Sequence, residues 1–508
     1  MQNKKIKVLF AAFEASPFIK TGGLGDVAGS LPIYLKKDGV DIRVIMPLFS
    51  SISNEYRDKM TKICDFYVPL AWRNMYCGIY KLIYKNTIFY FLDNEYYFKR
   101  DKAYGFFDDG ERIAFYSKAI IESILHLNFS PNIMHLNDWH TALSAVFLRE
   151  MYREVDKCNN IKTVFTIHNI KFQGMFSKYV LDDITGLKGN FAAESQLMQS
   201  GAINYMRGAL NYADRITTVS PTYAKEICTP FFSEGLEDVL CRRKNILSGI
   251  LNGIDYEKYN PYKDNEVYVN LKPITKNITK EKDINEITKE ELIEDKIKRI
   301  TTFKSNNKMC LQADLGLDVD PNICMISLIS RLTDQKGLDL ITYILEEMLQ
   351  YKIQFVILGL GDKKYEDAFN KFANQYKNKV SANIFFDESL SKKIYASSDL
   401  IMVPSLFEPC GLSQMIAMRY ATLPIVREIG GLKDSVNSYN KYTNIGNGFS
   451  FVNYNAHELL FTIQNALSLY YDKKEIFNNL SMQAFDTNFN FEESAKEYIK
   501  LYSQLMEV

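Results

Sequence analysis

The 508-residue sequence lacks an excess of charge of one sign, a long hydrophobic run and closely spaced cysteines. It contains 61 lysine and arginine residues against 61 aspartate and glutamate residues, so the formal net charge is zero. A general nucleic-acid or polyanion binder is normally basic, and the charge balance argues against that class. We therefore expect substrates and partners whose binding does not depend on long-range electrostatic steering.

Two further absences concern the membrane and the redox environment. No stretch of about 18 uninterrupted apolar residues occurs, so the sequence predicts no membrane-spanning helix. The eight cysteines are scattered and include no Cys-x-x-Cys pair, which makes a metal site or a disulfide framework a weak interpretation. Reduced thiols and a cytoplasmic location are the expectation.

What the sequence does contain is a regular alternation of short apolar runs and helical patterns. Strands are predicted at 6–12, 41–46, 132–136, 162–167 and 215–219 in the first half, and at 323–330, 354–359, 383–386, 400–404 and 423–427 in the second. Residues 78–92 are β-rich around the turn at Lys85, which predicts an inserted hairpin. The alternation predicts an α/β fold class with two doubly wound, mostly parallel sheets.

This pattern suggests the following domain organisation. Residues 1–255 form an amino-terminal domain, 256–308 a linker, 309–485 a second domain, and 486–508 a helix that packs back on the first domain. Within the linker, residues 273–298 mix both signs of charge at high density. Mixed charge favours a solvated linker helix or insertion over a charged partner-binding arm.

A glycine-rich loop follows the first predicted strand, with Lys20 at its start and Gly22, Gly23 and Gly25 within it. Glycines let a ligand approach the backbone, the following helix offers unpaired N–H groups to an anion, and a lysine adds a point charge. A dinucleotide site would also need an acidic residue after the second strand, where Pro47 and its neighbours provide none. The loop therefore predicts contact with a phosphorylated donor. It is echoed by Gly430-Gly431-Leu432 in the second half.

Polar residues follow two later strands of the first half. Asp138 and His140 are candidates for contacting a sugar, although a helix N-cap is the alternative for Asp138. His168, directly after strand 162–167, is a predicted ligand contact, whereas His135 falls inside a strand and is predicted to be structural. The five-residue spacing of His135 and His140 does not suit a zinc pair on one helix.

The second half supplies cations and a carboxylate. Arg331 and Lys336 follow a strand and are predicted to converge on a diphosphate. Glu408 precedes Pro409 and a glycine-started helix, which aims its carboxylate rigidly, with a capping role as the alternative.

Two other features of the second half have simpler interpretations. Cys410 has no assigned base, so nucleophilic catalysis by its thiol is not expected. The Asp318-Val319-Asp320 string matches a metal-binding Asp-x-Asp but precedes its strand, so it is predicted to be a turn.

Taken together, these strings resemble those of bacterial glycogen synthase and plant starch synthase. The resemblance runs in order from about residue 6 to the carboxyl terminus. Its motifs are KTGGLGDVA from Lys20, HLNDWHT from His135, TIHN from Thr166, VSPTY from Val219, NGID from Asn252, SRLTDQKGL from Ser330, EPCGL from Glu408 and YNAHEL from Tyr454. The length and order of the motifs make the resemblance specific.

The resemblance implies a GT-B fold, in which two Rossmann-like domains face each other across a deep cleft. It implies transfer of glucose from ADP-glucose to the non-reducing end of an α-1,4-glucan in glycogen biosynthesis, with retention of configuration and without a metal. The implied partners are ADP-glucose and a glucan such as glycogen, with no nucleic acid and no membrane.

The same resemblance implies roles for individual residues. Lys20, Gly22 and Gly23 would contact the donor, Asp138 and His168 would line the glucose pocket, and Arg331 and Lys336 would hold the diphosphate. Glu408 would orient the donor sugar, with Cys410, Gly411 and Leu412 near its hydroxyls. Tyr104, His140 and Asn252 would make further sugar or acceptor contacts.

Some positions depart from the family pattern, which usually has Arg where Leu406 stands, Gly where Ala421 stands and Thr where Ser435 stands. None of these changes affects the principal donor residues, so activity is expected. Two alternatives remain: a related glucosyltransferase that uses UDP-glucose or makes a sucrose phosphate, and a catalytically impaired glucan-binding scaffold. The intact motif residues argue against the scaffold.

Overall fold

The computed structural model describes residues 5–273 and 288–507. The chain divides into two compact units: Met1–Gly253 with Asn490–Val508, and Ile254–Phe489. The domain boundaries inferred from the sequence stay predictions. Residues 274–287, the larger part of the predicted charged insertion, lie outside the described residues.

The first unit is built on a nine-stranded sheet. Its strands are β1 (Lys7–Ala11), β2 (Asp41–Pro47), β3 (Thr61–Leu70), β4 (Arg73–Tyr84), β5 (Thr87–Asp93), β6 (Ile133–Asn137), β7 (Lys162–Ile167), β11 (Arg215–Thr218) and β12 (Leu247–Gly249), in the order β12-β11-β7-β6-β1-β2-β5-β4-β3. All neighbours from β12 to β5 pair in parallel, and β4 and β3 continue the sheet in antiparallel pairing. A small sheet in the same unit contains β8 (Met175–Ser177), β9 (Met198–Gln199) and β10 (Ala202–Asn204).

The second unit contains a six-stranded sheet that is parallel throughout. Its strands are β13 (Cys324–Ile329), β14 (Ile353–Leu358), β15 (Val380–Asn383), β16 (Leu400–Val403), β17 (Leu423–Arg427) and β18 (Phe449–Phe451), in the order β15-β14-β13-β16-β17-β18. If the strands of this sheet are numbered 1 to 6 along the chain, their spatial order is 3-2-1-4-5-6. Six strands of the first unit have the same order, namely β5-β2-β1-β6-β7-β11. In such sheets ligands bind at the carboxyl ends of the strands, where the order reverses between the first and fourth strands.

Helices connect the strands of both units. In the first unit they are Gly23–Lys37, Asn54–Arg57, Glu95–Phe98, Asp109–His126, Trp139–Glu150, Lys178–Val180, Phe191–Leu197, Tyr205–Tyr212, Pro221–Glu226, Glu237–Arg242 and Phe491–Met506, with a π-helical turn at Leu181–Thr185 and a 3-10 turn at Lys244–Ile246. In the second they are Lys289–Asp314, Leu338–Met348, Lys363–Gln375, Glu388–Ser397, Ser413–Arg419, Gly430–Ser435, Ala456–Asp472 and Lys474–Asp486, with a 3-10 turn at Asp334–Lys336. No helix within the described ranges combines the length and the apolar composition needed to cross a bilayer.

Three sequence-based expectations differ from the structure in detail. The predicted hairpin at 78–92 is longer and is continuous with the main sheet, because β5 pairs in parallel with β2. The strand predicted at 383–386 is Val380–Asn383, and Asp387 instead caps the following helix by accepting from the Leu390 amide. The two Gly-Gly-Leu strings are not equivalent, because the first follows the first strand of its sheet and the second follows the fifth.

The helix Lys289–Asp314 runs through the part of the chain predicted as a linker. A capping box begins it: the Thr288 hydroxyl accepts from the Glu291 amide (3.2 Å), and the Glu291 carboxylate accepts from the Thr288 amide (3.0 Å). Its carboxyl-terminal half is buried through Phe303 and Leu311, and Lys308 forms a buried ion pair with Asp399 (2.5 Å). The helix is therefore part of the core of the second unit.

The carboxyl-terminal helix Phe491–Met506 packs within the first unit against the helix Gly23–Lys37. The Tyr502 hydroxyl lies 2.6 Å from Nδ1 of His135, whose Nε2 lies 2.6 Å from the Thr166 hydroxyl. Both ring nitrogens of His135 are thus satisfied, and burial lowers the pKa of its imidazole to about 3. The structural role predicted for His135 is confirmed.

Ala421 occupies a position that favours glycine. It follows the helix Ser413–Arg419 with φ of 60°, while the Thr422 amide donates to the Ala417 carbonyl (2.9 Å) and the Ala421 amide to the Met418 carbonyl (2.9 Å). This pattern is a Schellman motif, in which the left-handed residue is usually glycine. The left-handed conformation costs a residue with a side chain about 1–2 kcal/mol.

We predict that Ala421→Gly raises the free energy of unfolding of the second unit by up to about 1 kcal/mol, because relief of strain exceeds the added backbone entropy of glycine. Urea unfolding of the purified chain measures the change. Ala417→Gly, inside the same helix, is the matched control and should destabilise by about 1 kcal/mol or more. Equal destabilisation by both substitutions contradicts the assignment of strain to Ala421.

Candidate functional site

The glycine-rich loop of the first unit is organised by a buried carboxylate. Glu14 lies just beyond the carboxyl end of β1 and accepts hydrogen bonds from the Thr21 amide (2.6 Å), the Gly25 amide (3.0 Å) and the Thr21 hydroxyl. Burial raises the pKa of Glu14 despite these hydrogen bonds. The carboxylate thus fixes the loop in a single conformation, a role that the sequence analysis did not assign to it.

Lys20, Gly22 and Gly23 lie where that loop enters the helix Gly23–Lys37. Gly22 adopts an extended conformation as the N-cap and has no side chain to satisfy the first N–H groups of the helix. The Lys20 ammonium lies 2.7 Å from the Asp26 carboxylate in the first turn. The first amides of the helix can therefore bind an anion beside an ammonium whose charge Asp26 partly neutralises.

Asp138 connects the carboxyl ends of β6 and β7. Its carboxylate accepts from the His168 amide (2.7 Å) and the Asn169 amide (3.4 Å), and it makes no capping bond to its own helix. The predicted N-cap alternative is therefore wrong for the side chain. The backbone is strained, with φ of 57° and ψ of 178°, and burial raises the pKa of Asp138 to about 7. Strain of this kind in a residue with a side chain is concentrated at functional sites.

The protonation of His168 follows from its neighbour Asn137. The Asn137 side-chain amide donates to the Ala11 carbonyl (2.9 Å), so its oxygen faces His168 Nε2 at 2.9 Å as an acceptor. Nε2 must therefore carry the proton, and Nδ1 is left as an acceptor. Burial lowers the pKa of His168 to about 3, so the ring is neutral near pH 7.

Two candidate site residues of the first unit have buried polar atoms that lack a partner among the described residues. Neither ring nitrogen of His140 is hydrogen-bonded, although the ring stacks on Phe13 with centroids 4.8 Å apart. The side-chain oxygen of Asn252 is likewise unpaired. Leaving such groups unsatisfied costs about 1–3 kcal/mol each, so both are suited to accept a ligand or an ordered water.

Tyr104 joins the glycine-rich loop to His140. Its hydroxyl lies 2.8 Å from the Thr21 hydroxyl, and its ring centroid lies 5.3 Å from that of His140. The ring is 40% exposed, which leaves one side open to a ligand. The first unit therefore brings together Lys20, the glycines, Tyr104 and His140, as well as the neighbouring pair Asp138 and His168.

In the second unit, Lys336 and Glu408 form an ion pair at the carboxyl edge of the sheet. Their Nζ and Oε2 atoms are 2.6 Å apart, and the same Oε2 accepts from the Ser405 hydroxyl at 2.9 Å. Glu408 is 7% exposed. The two loops are also joined by the Leu406 amide, which donates to the Gln335 carbonyl (2.8 Å). The sequence analysis assigned Lys336 to the diphosphate and Glu408 to the donor sugar, but the structure joins the two side chains in one ion pair.

Arg331 follows β13 in the same loop as Lys336. Its side chain is exposed, and its guanidinium makes no hydrogen bond or ion pair with any residue in 5–273 or 288–507. Its five N–H donors are thus available to an anionic ligand. Lys336, by contrast, already has its charge partly neutralised by Glu408.

Residues 410–412 support the Glu408 loop through their backbone. The Gln414 side-chain amide donates to the carbonyls of Cys410 (3.2 Å) and Gly411 (2.9 Å). A Cβ on Gly431 would lie 2.2 Å from the Cys410 carbonyl oxygen, so this position has to be glycine. Leu412 is the N-cap of the helix Ser413–Arg419. The second Gly-Gly string therefore packs against the Glu408 loop.

Arg427 is a further residue that the sequence analysis did not assign to the site. Its guanidinium donates to the Leu406 carbonyl (2.7 Å), and it lies over the Tyr454 ring at 5.4 Å from the centroid. A positive charge therefore stands beside the Glu408 loop although Leu406 carries none. Its position at the carboxyl end of β17 is the signal that could have identified it.

The Asp318-Val319-Asp320 string forms the predicted turn. Asp320 accepts from the Asn322 amide (2.8 Å) just before β13, and its carboxylate lies 3.4 Å from the Lys352 ammonium. These contacts account for Asp320 without a ligand.

The pKa of Asp138 yields a prediction for stability. Between the ordinary pKa of 3.8 and the folded value of about 7, the folded state holds a proton that the unfolded state has lost. The contribution of Asp138 to the free energy of unfolding therefore falls as the pH rises through this window and levels off above it. The amide introduced by Asp138→Asn does not titrate, so this variant should gain stability relative to the wild type by up to ~1.4 kcal/mol per pH unit.

Urea unfolding at several pH values between 4 and 8 measures the difference in the free energy of unfolding between the variant and the wild type. The other titrating groups contribute equally to both proteins and cancel from this difference. Asp101→Asn changes an exposed carboxylate and is the matched control. A stability difference between Asp138→Asn and wild type that does not vary with pH contradicts the assignment.

Comparisons with known proteins agree with this geometry. Residues 7–242 match a family model described as the starch synthase catalytic domain, and residues 312–481 match one described as glycosyl transferases group 1. A glycogen synthase of Clostridium perfringens is 49% identical over 503 residues, or 99% of each chain. A glycogen synthase of Alkaliphilus metalliredigens is 47% identical over 98% of this chain and 100% of the relative.

Solved structures give the same result. The catalytic domain of starch synthase IV from Arabidopsis thaliana, bound to ADP and acarbose, has a TM-score of 0.87 and 29% identity, with 99% of each chain covered. A sucrose-phosphate synthase from Thermosynechococcus elongatus, at 14% identity and a TM-score of 0.59, shares the fold alone. The expected α/β fold of GT-B type is confirmed. The chain belongs to the family of glycosyltransferases that comprises bacterial glycogen synthases and plant starch synthases.

Proposed function

We propose that this protein is a glycogen synthase, which transfers glucose from ADP-glucose to the non-reducing end of an α-1,4-glucan with retention of configuration. The observation that carries the proposal is the Lys336–Glu408 ion pair at the carboxyl edge of a Rossmann-like sheet, in the same loop as Arg331, whose guanidinium has no partner in the described part of the chain. Two cations and one fixed carboxylate suit a ligand that joins a diphosphate to a sugar.

The cations act on the leaving group. Negative charge grows on the departing diphosphate as the glycosidic bond breaks, and preorganised donors stabilise that charge more in the transition state than in the ground state. Arg331 contributes a planar fork of donors, and Lys336 contributes a point charge that it shares with Glu408. The proposal assigns no step to a metal ion, because these two side chains supply the positive charge.

Glu408 orients the donor sugar. Its Oε2 is held by Lys336 and Ser405, which leaves Oε1 to accept from a sugar hydroxyl. The backbone at Cys410, Gly411 and Leu412 lies beside it. Because the sequence motifs offer no well-placed second carboxylate as a nucleophile, we assign retention to a front-face mechanism in which the leaving phosphate takes the acceptor proton. A covalent glucosyl-enzyme trapped on Glu408 or Asp138 would contradict this assignment.

The first unit supplies hydrogen-bonding groups to the substrates. His168 Nδ1 is an acceptor on an uncharged ring, and Asp138 is fixed by two backbone amides. We assign both to the glucose pocket, Lys20 and Gly22–Gly23 to the donor, and Tyr104, His140 and Asn252 to further sugar contacts.

A neutral glucan fits a chain with no net charge, since positive charge is needed only where the diphosphate binds. We further propose a cytoplasmic location, because none of the eight cysteines, all of them described, forms a disulfide.

A transfer assay tests the proposal against its alternatives. Purified protein is incubated with glycogen and either labelled ADP-glucose or labelled UDP-glucose. Incorporation mainly from ADP-glucose supports the proposal, and incorporation mainly from UDP-glucose favours the related transferase. Glycogen binding without incorporation from either donor identifies a scaffold.

Arg331→Ala gives a specific prediction. Because the guanidinium is exposed and unpaired, its removal should leave the melting temperature unchanged while kcat falls about 10²- to 10³-fold, as for the loss of one donor to a transition-state anion. The KM for glycogen should not change. Lys377→Ala removes an exposed charge of the same unit and is the control. If kcat falls less than about threefold in Arg331→Ala, the guanidinium does not act on the leaving group.

A further inference from the structure

The second unit contains an open cavity of about 1090 Å³ that none of the site residues above lines. It lies between the loop that precedes β18, β18 itself and the helix Ala456–Asp472. We call it the aromatic groove and define it by Asn440, Tyr442, Ser450, Phe461, Asn465 and Ser468. All of these residues belong to the second unit.

Two aromatic rings on the groove are exposed to an unusual degree. Tyr442 is 85% exposed and Phe461 is 61% exposed, and Val452, also on the lining, is exposed as well. Large apolar side chains that cluster at a concave surface mark a binding site more often than singly scattered ones do. The flat faces of such rings stack on the C–H faces of sugar rings.

The polar part of the lining carries charge of both signs, from Lys441, Lys473 and Glu458. Its amides and hydroxyls include Asn440, Asn465 and Ser468. The Glu458 carboxylate is held by the amide and side chain of Asn453 at 3.0 and 2.6 Å, and the Lys441 ammonium lies over the Tyr442 ring at 5.2 Å. Amides and hydroxyls outnumber these charged groups, so the surface suits a ligand with many hydroxyl groups.

The geometry of β18 disfavours a peptide as the occupant. β18 is the last strand of its sheet, and an added peptide strand would need its exposed backbone groups. The Ser450 amide already donates to the Ser438 hydroxyl (3.2 Å), and the Gly448 carbonyl accepts from the Tyr439 amide (2.8 Å). The chain's own residues 438–440 thus cover this edge.

We infer that the aromatic groove binds a run of glucose units of an α-glucan chain and so holds the polymer at a place other than the transfer site. The inference rests on the proposed function for the identity of the polymer. Because a glucan is far longer than one sugar-binding site, a second contact raises the effective concentration of its chain ends without changing the chemistry.

The test compares the full-length wild type with the double substitution Tyr442→Ala/Phe461→Ala. Affinity for glycogen is measured by retardation in glycogen-containing native gels, and transfer from ADP-glucose is measured with glycogen and with maltotriose. We expect the affinity for glycogen to fall about five- to tenfold, because two ring contacts are lost. The kcat and KM with maltotriose should stay unchanged. Phe461→Tyr keeps the ring and should retain wild-type affinity.

Tyr67→Ala is the matched control, because Tyr67 is 62% exposed on β3 of the first unit. Unchanged glycogen affinity in the double variant overturns the inference, as does equal loss in Tyr67→Ala. A fall in oligomeric mass with unchanged glycogen affinity also overturns it and identifies an interface between copies. If wild type fails to transfer glucose but the double variant still loses glycogen affinity, the proposed function fails and the groove stands.

Discussion

A carboxylate held away from water must be paired, and the Lys336–Glu408 ion pair meets this requirement at the carboxyl edge of the second sheet. The ion pair joins the loop after β13 to the loop after β16. The loop that contains Glu408 packs so closely on Gly431 that no side chain would fit there. The first unit meets the same requirement with backbone amides, which hold Glu14 and Asp138. Buried carboxylates at strand ends thus determine the loop conformations on which ligand binding depends.

Much of the architecture could be predicted from the sequence, because short apolar runs that alternate with helical patterns specify parallel sheets. The predicted strand 162–167 is β7 itself, and 423–427 is β17. The sequence favoured a solvated linker helix or insertion here, and the burial of the helix Lys289–Asp314 was not predicted. Its buried face is narrow and contains Lys308, whose charge is compensated by Asp399, 91 residues further along the chain. Charge density alone cannot distinguish such a helix from a linker.

The residues of the candidate site could be predicted from the sequence, but the contacts between them could not. Strand ends and glycines identified Asp138, His168, Arg331 and Glu408, whereas the pairing of Lys336 with Glu408 joins residues 72 positions apart. Glu14 was missed because it follows β1 outside any recognisable motif, and Arg427 because it is the last residue of β17 and belongs to no motif. Arg427 also shows how the site accommodates Leu406, since its guanidinium binds the carbonyl of that residue.

If Lys336 and Glu408 act together on one nucleotide sugar, the effects of substituting them are coupled, and a double-mutant cycle measures that coupling. The kcat for transfer from ADP-glucose to glycogen is measured for wild type, Lys336→Met, Glu408→Gln and the double variant. We expect each single substitution to lower kcat about 10²-fold or more. The double substitution should lower kcat by clearly less than the product of the two single fold-changes. Strictly multiplicative losses, or a single variant with wild-type kcat, would contradict it.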